Sequence, residues 1–334
     1  MNDTLLSVQD VAVTFRTRGG RERRTLRALD GVSFDLQRGE ILGLVGESGS
    51  GKSTLARLIV GLNASSAGSI HFDETLLSSG KRSPELRRRI QMVFQDPSSS
   101  LNPRMTVYQQ IAELLRVHHI VPRQDIRDRC AQLLSQVHLD GDLLRVRPHQ
   151  MSGGQCQRVA IARALALSPE LLVADEPLSA LDVSIQAGIV QLLSELRDQL
   201  GLTILFIAHD LAVVRSLCDR VAVMYMGRLV ECGTTDSIFD DPRHPYTRAL
   251  LSAIPRLSPA LDTKNGPAVR GEPPSLVRLP SGCRFRSRCP LATELCEQIE
   301  PNLMNVVDSE DASHQVACHF TTGRVTANDP EFSS

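Results

Sequence analysis

Gly46-Glu47-Ser48-Gly49-Ser50-Gly51-Lys52-Ser53 is the stretch on which the fold turns. Just before it, Ile41 to Val45 is a short apolar run that stops at glycine, the pattern of a buried strand. Just after it, Thr54 to Leu62 has helical spacing. Strand, glycine-rich loop and helix in that order, with G-x-x-x-x-G-K-[ST] in the loop, make a P-loop. The chemistry asks for these residue types. Glycines let backbone N–H groups wrap a row of phosphates, and the helix N-terminus adds partial positive charge. Lys52 is placed to reach the β- and γ-phosphates, and the Ser53 hydroxyl to coordinate Mg²⁺. A chance glycine-rich turn is the competing reading, and the strand and helix on either side argue against it.

Working outward, Leu171 to Ala174 is a second apolar run, and it ends at Asp175 and Glu176. Asp175 at a strand's C-terminal edge can hold the Mg²⁺ shell. Glu176 beside it is placed to polarise an attacking water. His209 follows the apolar run Thr203 to Ala208, where it can contact a γ-phosphate and orient Glu176. Gln95 ends another strand, Ile90 to Phe94, and its amide can reach both metal and water. Alone, each would be a structural histidine, a solvated acid or a surface glutamine. Ser152-Gly153-Gly154-Gln155 opens a helix that runs to Leu167 and makes a second anion site. A chain with a P-loop does not need a second one for its own nucleotide.

Taken in order, these segments resemble the ABC ATPases. In that family the Ser152–Gln155 loop closes over ATP held by the opposite subunit. The match runs from about Leu6 to Gly233, with Met151 in place of the commoner leucine and Cys156 where arginine is usual. The resemblance implies an α/β fold. It comprises a P-loop NTPase (RecA-like) core, an N-terminal antiparallel β subdomain and a helical insert at about 100–165. The ATPase domain would cover 5–240, and a small extension 241–334. It also implies that Gly46 to Ser53 and Thr54 bind ATP, that Phe15 stacks on adenine, and that Ser53, Gln95 and Asp175 hold Mg²⁺. Glu176, His209 and Gln95 would carry hydrolysis. Ser179-Ala180-Leu181-Asp182 resembles the loop through which two subunits sense each other, which places Asp182 at the nucleotide interface. Phe15 reads almost equally well as a core strand residue.

The remaining segments fit this frame. Alternating strands and helices in the core predict a mainly parallel sheet. Leu6 to Phe15 and Val32 to Leu36 alternate apolar and polar residues as strands do. Between them, Arg16 to Arg27 holds six arginines and Gly19-Gly20, and reads as a solvated hairpin tip, with anionic lipid as the minority reading. Val107 to Val117, Arg123 to Val137 and Gln155 to Leu167 have helical periodicity, as do Ser184 to Leu200 and Tyr246 to Ile254. Residues 255–280 read as a linker, and 321–334 as a frayed end. The 334 residues carry a net charge of −1, which gives no sign of nucleic-acid binding. No apolar stretch reaches the roughly 18 residues of a membrane span, and Met1 to Asp10 does not read as a secretory signal. The expectation is a peripheral protein on the cytoplasmic face of the plasma membrane.

Three segments narrow the resemblance to the ATPases of dipeptide and oligopeptide importers. They are Phe94 to Arg104, His244-Pro245-Tyr246-Thr247-Arg248-Ala249-Leu250-Leu251, and the tail Gly282-Cys283-Arg284-Phe285 with Arg288-Cys289-Pro290 and Cys296. The long basic hairpin before Ala28-Leu29-Asp30-Gly31 resembles the second of the two ATPases that such importers often encode. Asp3 to Leu6 and Cys289 to Thr293 resemble the branch that imports D-alanyl-D-alanine dipeptides. The implied partners are a second ATPase subunit, two membrane permease subunits docking beside Gln95, and a substrate-binding protein. Nickel chelates and glutathione are alternative cargoes. A soluble ABC ATPase is the alternative of another class, disfavoured by the single cassette. Four of the eight cysteines, Cys283, Cys289, Cys296 and Cys318, lie in the last 52 residues, spaced C-x5-C, C-x6-C and C-x21-C. Three readings stay open: a 4Fe–4S cluster, as members of this subfamily are thought to carry; zinc, although no C-x2-C pair is present; or four buried thiols.

Overall fold

Alternation of side chains in the apolar strands builds two cores, one on each face of a central sheet. In β3 (Ile41–Val45), Ile41 and Val45 enter one buried cluster while Leu42 and Leu44 enter the other. β7 (Leu171–Asp175), β8 (Thr203–Ile207) and β9 (Arg220–Tyr225) split the same way, Leu172 and Phe206 to one face, Val173 and Ile207 to the other. A strand that is apolar on both faces must be covered on both. One face is covered by helices, the other by the helix Lys52–Ile59 and a second sheet. This computed structural model describes residues 3–19, 22–77, 82–96, 100–179, 181–253, 274 and 279–320.

The second sheet is antiparallel, in the order β2 (Glu22–Gln37), β1 (Thr4–Gly19), β4 (Ala67–Phe72), β5 (Thr75–Leu76). It is the expected N-terminal subdomain. One expectation changes here: the arginine segment is not merely a hairpin tip. The strand pairing continues through it to Gly19 opposite Glu22. Backbone hydrogen bonds need no apolar side chains, so the hydropathy pattern stops before the strands do. The side chains of 16–24 lie outside the described residues.

The central sheet has the order β11 (Met304–Asn305), β12 (Gln315–Val316), β10 (Arg228–Thr234), β9, β3, β8, β7, β6 (Ile90–Val93). Its core, β9 to β6, is parallel as expected. β10 to β12 then add an antiparallel flank. The helices Val107–Val117, Ile126–Gln136 and Gly153–Leu165 form the insert. The expected helix from Arg123 begins with a 3-10 turn, Arg123–Asp125.

The C-terminal extension is stitched onto the ATPase sheet, since β12 pairs with β10. The stitch is also polar. His314 Nε2 lies 2.9 Å from Glu231 Oε1, both side chains fully buried. Glu231 also accepts from the backbone N–H of Arg243 at 2.6 Å and of His244 at 3.0 Å. Asp311 accepts from Thr234 N–H and Ser237 Oγ, each at 2.8 Å. The helix Pro245–Ser252 follows; the end of its expected span at Ile254, most of the linker and residues 321–334 lie outside the described residues. No helix among those described is long and apolar enough to cross a membrane.

Candidate functional site

Four parallel strands end on one edge, and each delivers one piece of the site: β3 the P-loop, β6 Gln95, β7 Asp175 and Glu176, β8 His209. Ligands of open α/β sheets sit at this carboxyl edge. Lys52 is buried, and its Nζ donates to the carbonyls of Gly46 at 2.7 Å and Glu47 at 3.0 Å. Burial pulls its pKa below the usual lysine value, while the carboxylates of Glu176, Asp175 and Glu47 work against that. Gly46 has φ +149°, and a Cβ there would stand 2.1 Å from the Met224 carbonyl. Only glycine lets the loop start against β9 in this conformation.

Ser53 Oγ donates to Asp175 Oδ1 at 2.9 Å. Burial pushes the Asp175 carboxyl up, against the lowering effect of that hydrogen bond. A hydroxyl and a carboxylate side by side at the end of a phosphate loop are the hard oxygen ligands that Mg²⁺ takes. Glu176 stands next to them with φ +49°. Its Oε2 accepts from Gln95 Nε2 at 2.9 Å and lies 3.8 Å from His209 Nδ1. Gln95 and His209 are exposed, so both can meet a ligand, and they converge on one carboxylate oxygen.

Ser152 caps the helix Gly153–Leu165. Its Oγ accepts from the Gln155 N–H at 3.2 Å, and Gln155 Oε1 accepts from the Ser152 N–H at 2.9 Å. A Cβ on Gly154 would lie 2.6 Å from Ile185 Cγ2, so this helix start packs directly on the helix Val183–Leu200. Cys156 is buried beneath, where its thiol meets the Pro148 carbonyl at 3.5 Å. Asp182 precedes the helix Val183–Leu200, exposed and without a side-chain cap; Ala180 lies outside the described residues. Phe15 is 40% exposed on β1, and so is not the core residue that its strand pattern equally allowed.

Two side chains of the extension also reach the P-loop, and sequence reasoning gave neither a role there. Tyr246 Oη accepts from the Glu47 N–H at 2.8 Å. Arg288 grips the Glu47 carboxylate with both terminal nitrogens, at 2.8 and 2.9 Å. The signal in the sequence was the unusual motifs themselves, His-Pro-Tyr and Arg-Cys-Pro. Burial, with neighbouring tail thiols adding to it, raises the thiols of Cys283, Cys289 and Cys318 above their ordinary value. Cys283 is pushed up to about 11 and Cys289 up to about 12. Yet among the described residues no group of three or more His, Cys, Asp or Glu side chains is arranged to hold a metal ion. The expected iron–sulfur or zinc site therefore finds no formed ligand set among the described residues; of the four thiols Cys296 is buried and the other three are half-buried.

Comparisons with known proteins agree with this picture. The model of the ABC transporter family matches residues 29–179, and that of the oligopeptide/dipeptide transporter C-terminal region matches 230–296. The oligopeptide transport ATP-binding protein OppF of Salmonella typhimurium is 49% identical over 308 residues, covering 90% of this chain and 92% of that one. OppF of Escherichia coli is 47% identical over 323 residues, covering 94% and 95%. A putative peptide import ATP-binding protein of Brucella ovis is 48% identical over 304 residues, covering 90% and 94%. Among solved structures, cbiO1 of Clostridium perfringens, part of the ABC transporter complex cbiONQ, aligns with TM-score 0.63 and 33% identity, covering 72% of this chain and 92% of its own. The dimeric ATP-binding cassette MJ0796, bound to ADP and Pi, aligns with TM-score 0.61 and 31% identity, covering 69% and 98%.

Proposed function

Because the chain belongs to the ABC transporter family, as the ATP-hydrolysing subunit of an oligopeptide importer, we propose that its sequence motifs form two half-sites. Gly46 to Thr54, Gln95, Asp175, Glu176 and His209 serve this chain's own ATP. Ser152 to Gln155 serves the ATP of a facing ATPase subunit. The observation that carries this is the convergence on Glu176: Gln95 at 2.9 Å and His209 at 3.8 Å from one oxygen, beside the Ser53–Asp175 pair.

The P-loop amides and Lys52 bind and orient the triphosphate. Ser53 and Asp175, with Gln95, would hold Mg²⁺, which supplies charge neutralisation at the β- and γ-phosphates. Glu176 orients a water in line with the γ-phosphorus and takes its proton. The new P–O bond forms as the bond to the β–γ bridging oxygen breaks, leaving ADP and phosphate. His209 holds the γ-phosphate side and keeps Glu176 in place. Phe15, exposed on its strand, is the platform for adenine. Asp182 stands at the subunit boundary. Nucleotide then selects a closed pair of ATPases, and hydrolysis releases it.

The partners are permease subunits and a substrate-binding protein, with the chain held peripherally at the cytoplasmic membrane face; a distinct second ATPase makes the pair a heterodimer. Cargo is chosen by those partners. A tagged copy is expected to carry permease subunits through purification and to support peptide uptake; a copy that brings down ribosomes instead sinks the transport reading. For Cys283, Cys289, Cys296 and Cys318, the support for a 4Fe–4S cluster is the resemblance to the subfamily and the clustering of the four cysteines in one extension of the sequence. Anaerobic purification with iron analysis decides between a cluster and buried thiols, and colourless, iron-free protein leaves the thiols.

A further inference from the structure

Glu47 is held at three points. Its carboxylate takes both terminal nitrogens of Arg288, its N–H donates to Tyr246 Oη, and its carbonyl accepts from Lys52 Nζ. The first two come from the C-terminal extension, up to 241 residues away in sequence. The third is the lysine that must meet the phosphates. Arg288 is nearly buried and cannot swing freely. Its guanidinium lies over the rings of Tyr225 and Phe285, at 5.8 and 5.9 Å, and Tyr225, Tyr246 and Phe285 pack against one another with centroids 4.6 to 5.4 Å apart.

A second strut runs beside the first. Arg284 of the extension donates to the Met226 carbonyl and pairs with Asp30. Asp30 N–H donates to the Gly227 carbonyl at 3.0 Å, and Gly227 N–H donates to the Ser50 carbonyl of the P-loop at 2.8 Å. Two points of the glycine-rich loop, Glu47 and Ser50, are therefore fastened, directly or through one turn, to the extension. A bidentate arginine–carboxylate pair fixes orientation as well as distance. A phosphate cradle is effective only if its amides are aimed before the ligand arrives.

We infer that the extension is a built-in brace for nucleotide binding, in which Arg288 and Tyr246 act as positioning residues that hold Glu47, and through it the P-loop and Lys52, in the shape that receives the triphosphate. This rests on the ATPase reading above and adds a residue-level task for the tail. The Glu47 N–H, spent on Tyr246, is not a phosphate donor in this arrangement. Loss of either contact releases Glu47 and lowers ATP affinity without touching the hydrolytic carboxylate.

The test measures Mg–ATP affinity on the full chain with a fluorescent ATP analogue, alongside its nucleotide-free melting midpoint, and KM and kcat in the assembled transporter. Arg288→Met and Glu47→Gln are each expected to weaken binding by about tenfold. The double variant is expected to be no weaker than the worse single one, because the two act as one unit. Arg288→Lys recovers part of the loss. Tyr246→Phe keeps the ring and its packing, removes only the hydroxyl, and weakens binding by about threefold. In the transporter KM rises while kcat at saturating ATP stays within about twofold. Single losses that multiply in the double variant, a fall in kcat with KM unchanged, or Glu47→Gln and Tyr246→Phe that bind as wild type each overturn the brace. If Arg288→Met does not fold, the Glu47→Gln, Arg288→Lys and Tyr246→Phe results still decide. A wild-type chain that binds no Mg–ATP sinks the ATPase reading instead.

Discussion

The carboxylate proposed for hydrolysis can be told from its acidic neighbour by what surrounds each. Asp175 is tied to Ser53, with which it would hold Mg²⁺, whereas Glu176 meets the exposed side chains of Gln95 and His209. Glu176→Gln keeps size and hydrogen bonding but removes the base. Turnover is expected to fall by about 10²- to 10⁴-fold while ATP stays bound in closed dimers, seen by gel filtration with labelled ATP. Normal hydrolysis in this variant means that another group is the base. Gly46→Ala makes the complementary test of the cradle. Its Cβ would meet the Met224 carbonyl at 2.1 Å, so the loop must move. The expected outcome is a loss of ATP binding together with about 1–3 kcal/mol of stability, read by titration and by urea unfolding. Normal ATP binding by the Gly46→Ala variant would show that this loop start is not fixed against β9. These residues were legible in the sequence because phosphate chemistry dictates glycines, lysine and acids at set spacings. Arg288 was not, because its partner Glu47 lies 241 residues away and only the folded chain brings them together.

At the scale of single elements, the helix Pro245–Ser252 begins with an unusual cap, and it carries a pH dependence. The Nδ1 of His244 accepts from the Tyr246 N–H at 3.0 Å, with the ring fully buried. Burial pulls the pKa of His244 from 6.5 down to about 4, only partly opposed by the Glu231 carboxylate and reinforced by Arg248. The folded state thus holds the ring neutral where the unfolded chain would protonate it. Stability from this group is fully present above pH 6.5, is lost as pH falls toward 4, and then levels off. The total is on the order of 3 kcal/mol. Asp311 acts lower. Although burial opposes it, hydrogen bonds from Ser313, Thr234 and Ser237 hold its carboxyl well below the usual range, so its contribution is lost only as pH falls below 3.8. His244→Asn should keep a cap and flatten the unfolding free energy between pH 6.5 and 4. An unchanged slope in the variant would assign that dependence to another group. Elements of this kind divide by legibility. Strands that are apolar on both faces, such as β3 and β8, announce themselves in the hydropathy. β4, β11 and β12 do not: β4 and β12 take their places by pairing with β1 and β10, which are distant in sequence, and β11 and β12 are too short to show a pattern.

For the whole molecule the question is which chain's nucleotide Ser152 to Gln155 serves. Their hydrogen bonds run to one another and cap a helix, and that helix start packs on Ile185. On the proposed reading Lys52, Ser53, Asp175 and Glu176 complete the P-loop side, which leaves a second anion site in the same chain without a local client. Ser152→Asp separates the two assignments. Aspartate is as good an N-cap as serine, so the helix Gly153–Leu165 should keep its start and its stability. The new carboxylate, however, occupies the place where a phosphate would dock, at the positive end of that helix. If the loop faces a partner's ATP, the isolated full chain binds Mg–ATP within about twofold of wild type, while steady-state hydrolysis in the assembled transporter falls by about a hundredfold. If instead ATP affinity of the isolated chain drops along with hydrolysis, the loop belongs to its own nucleotide and the two half-sites collapse into one.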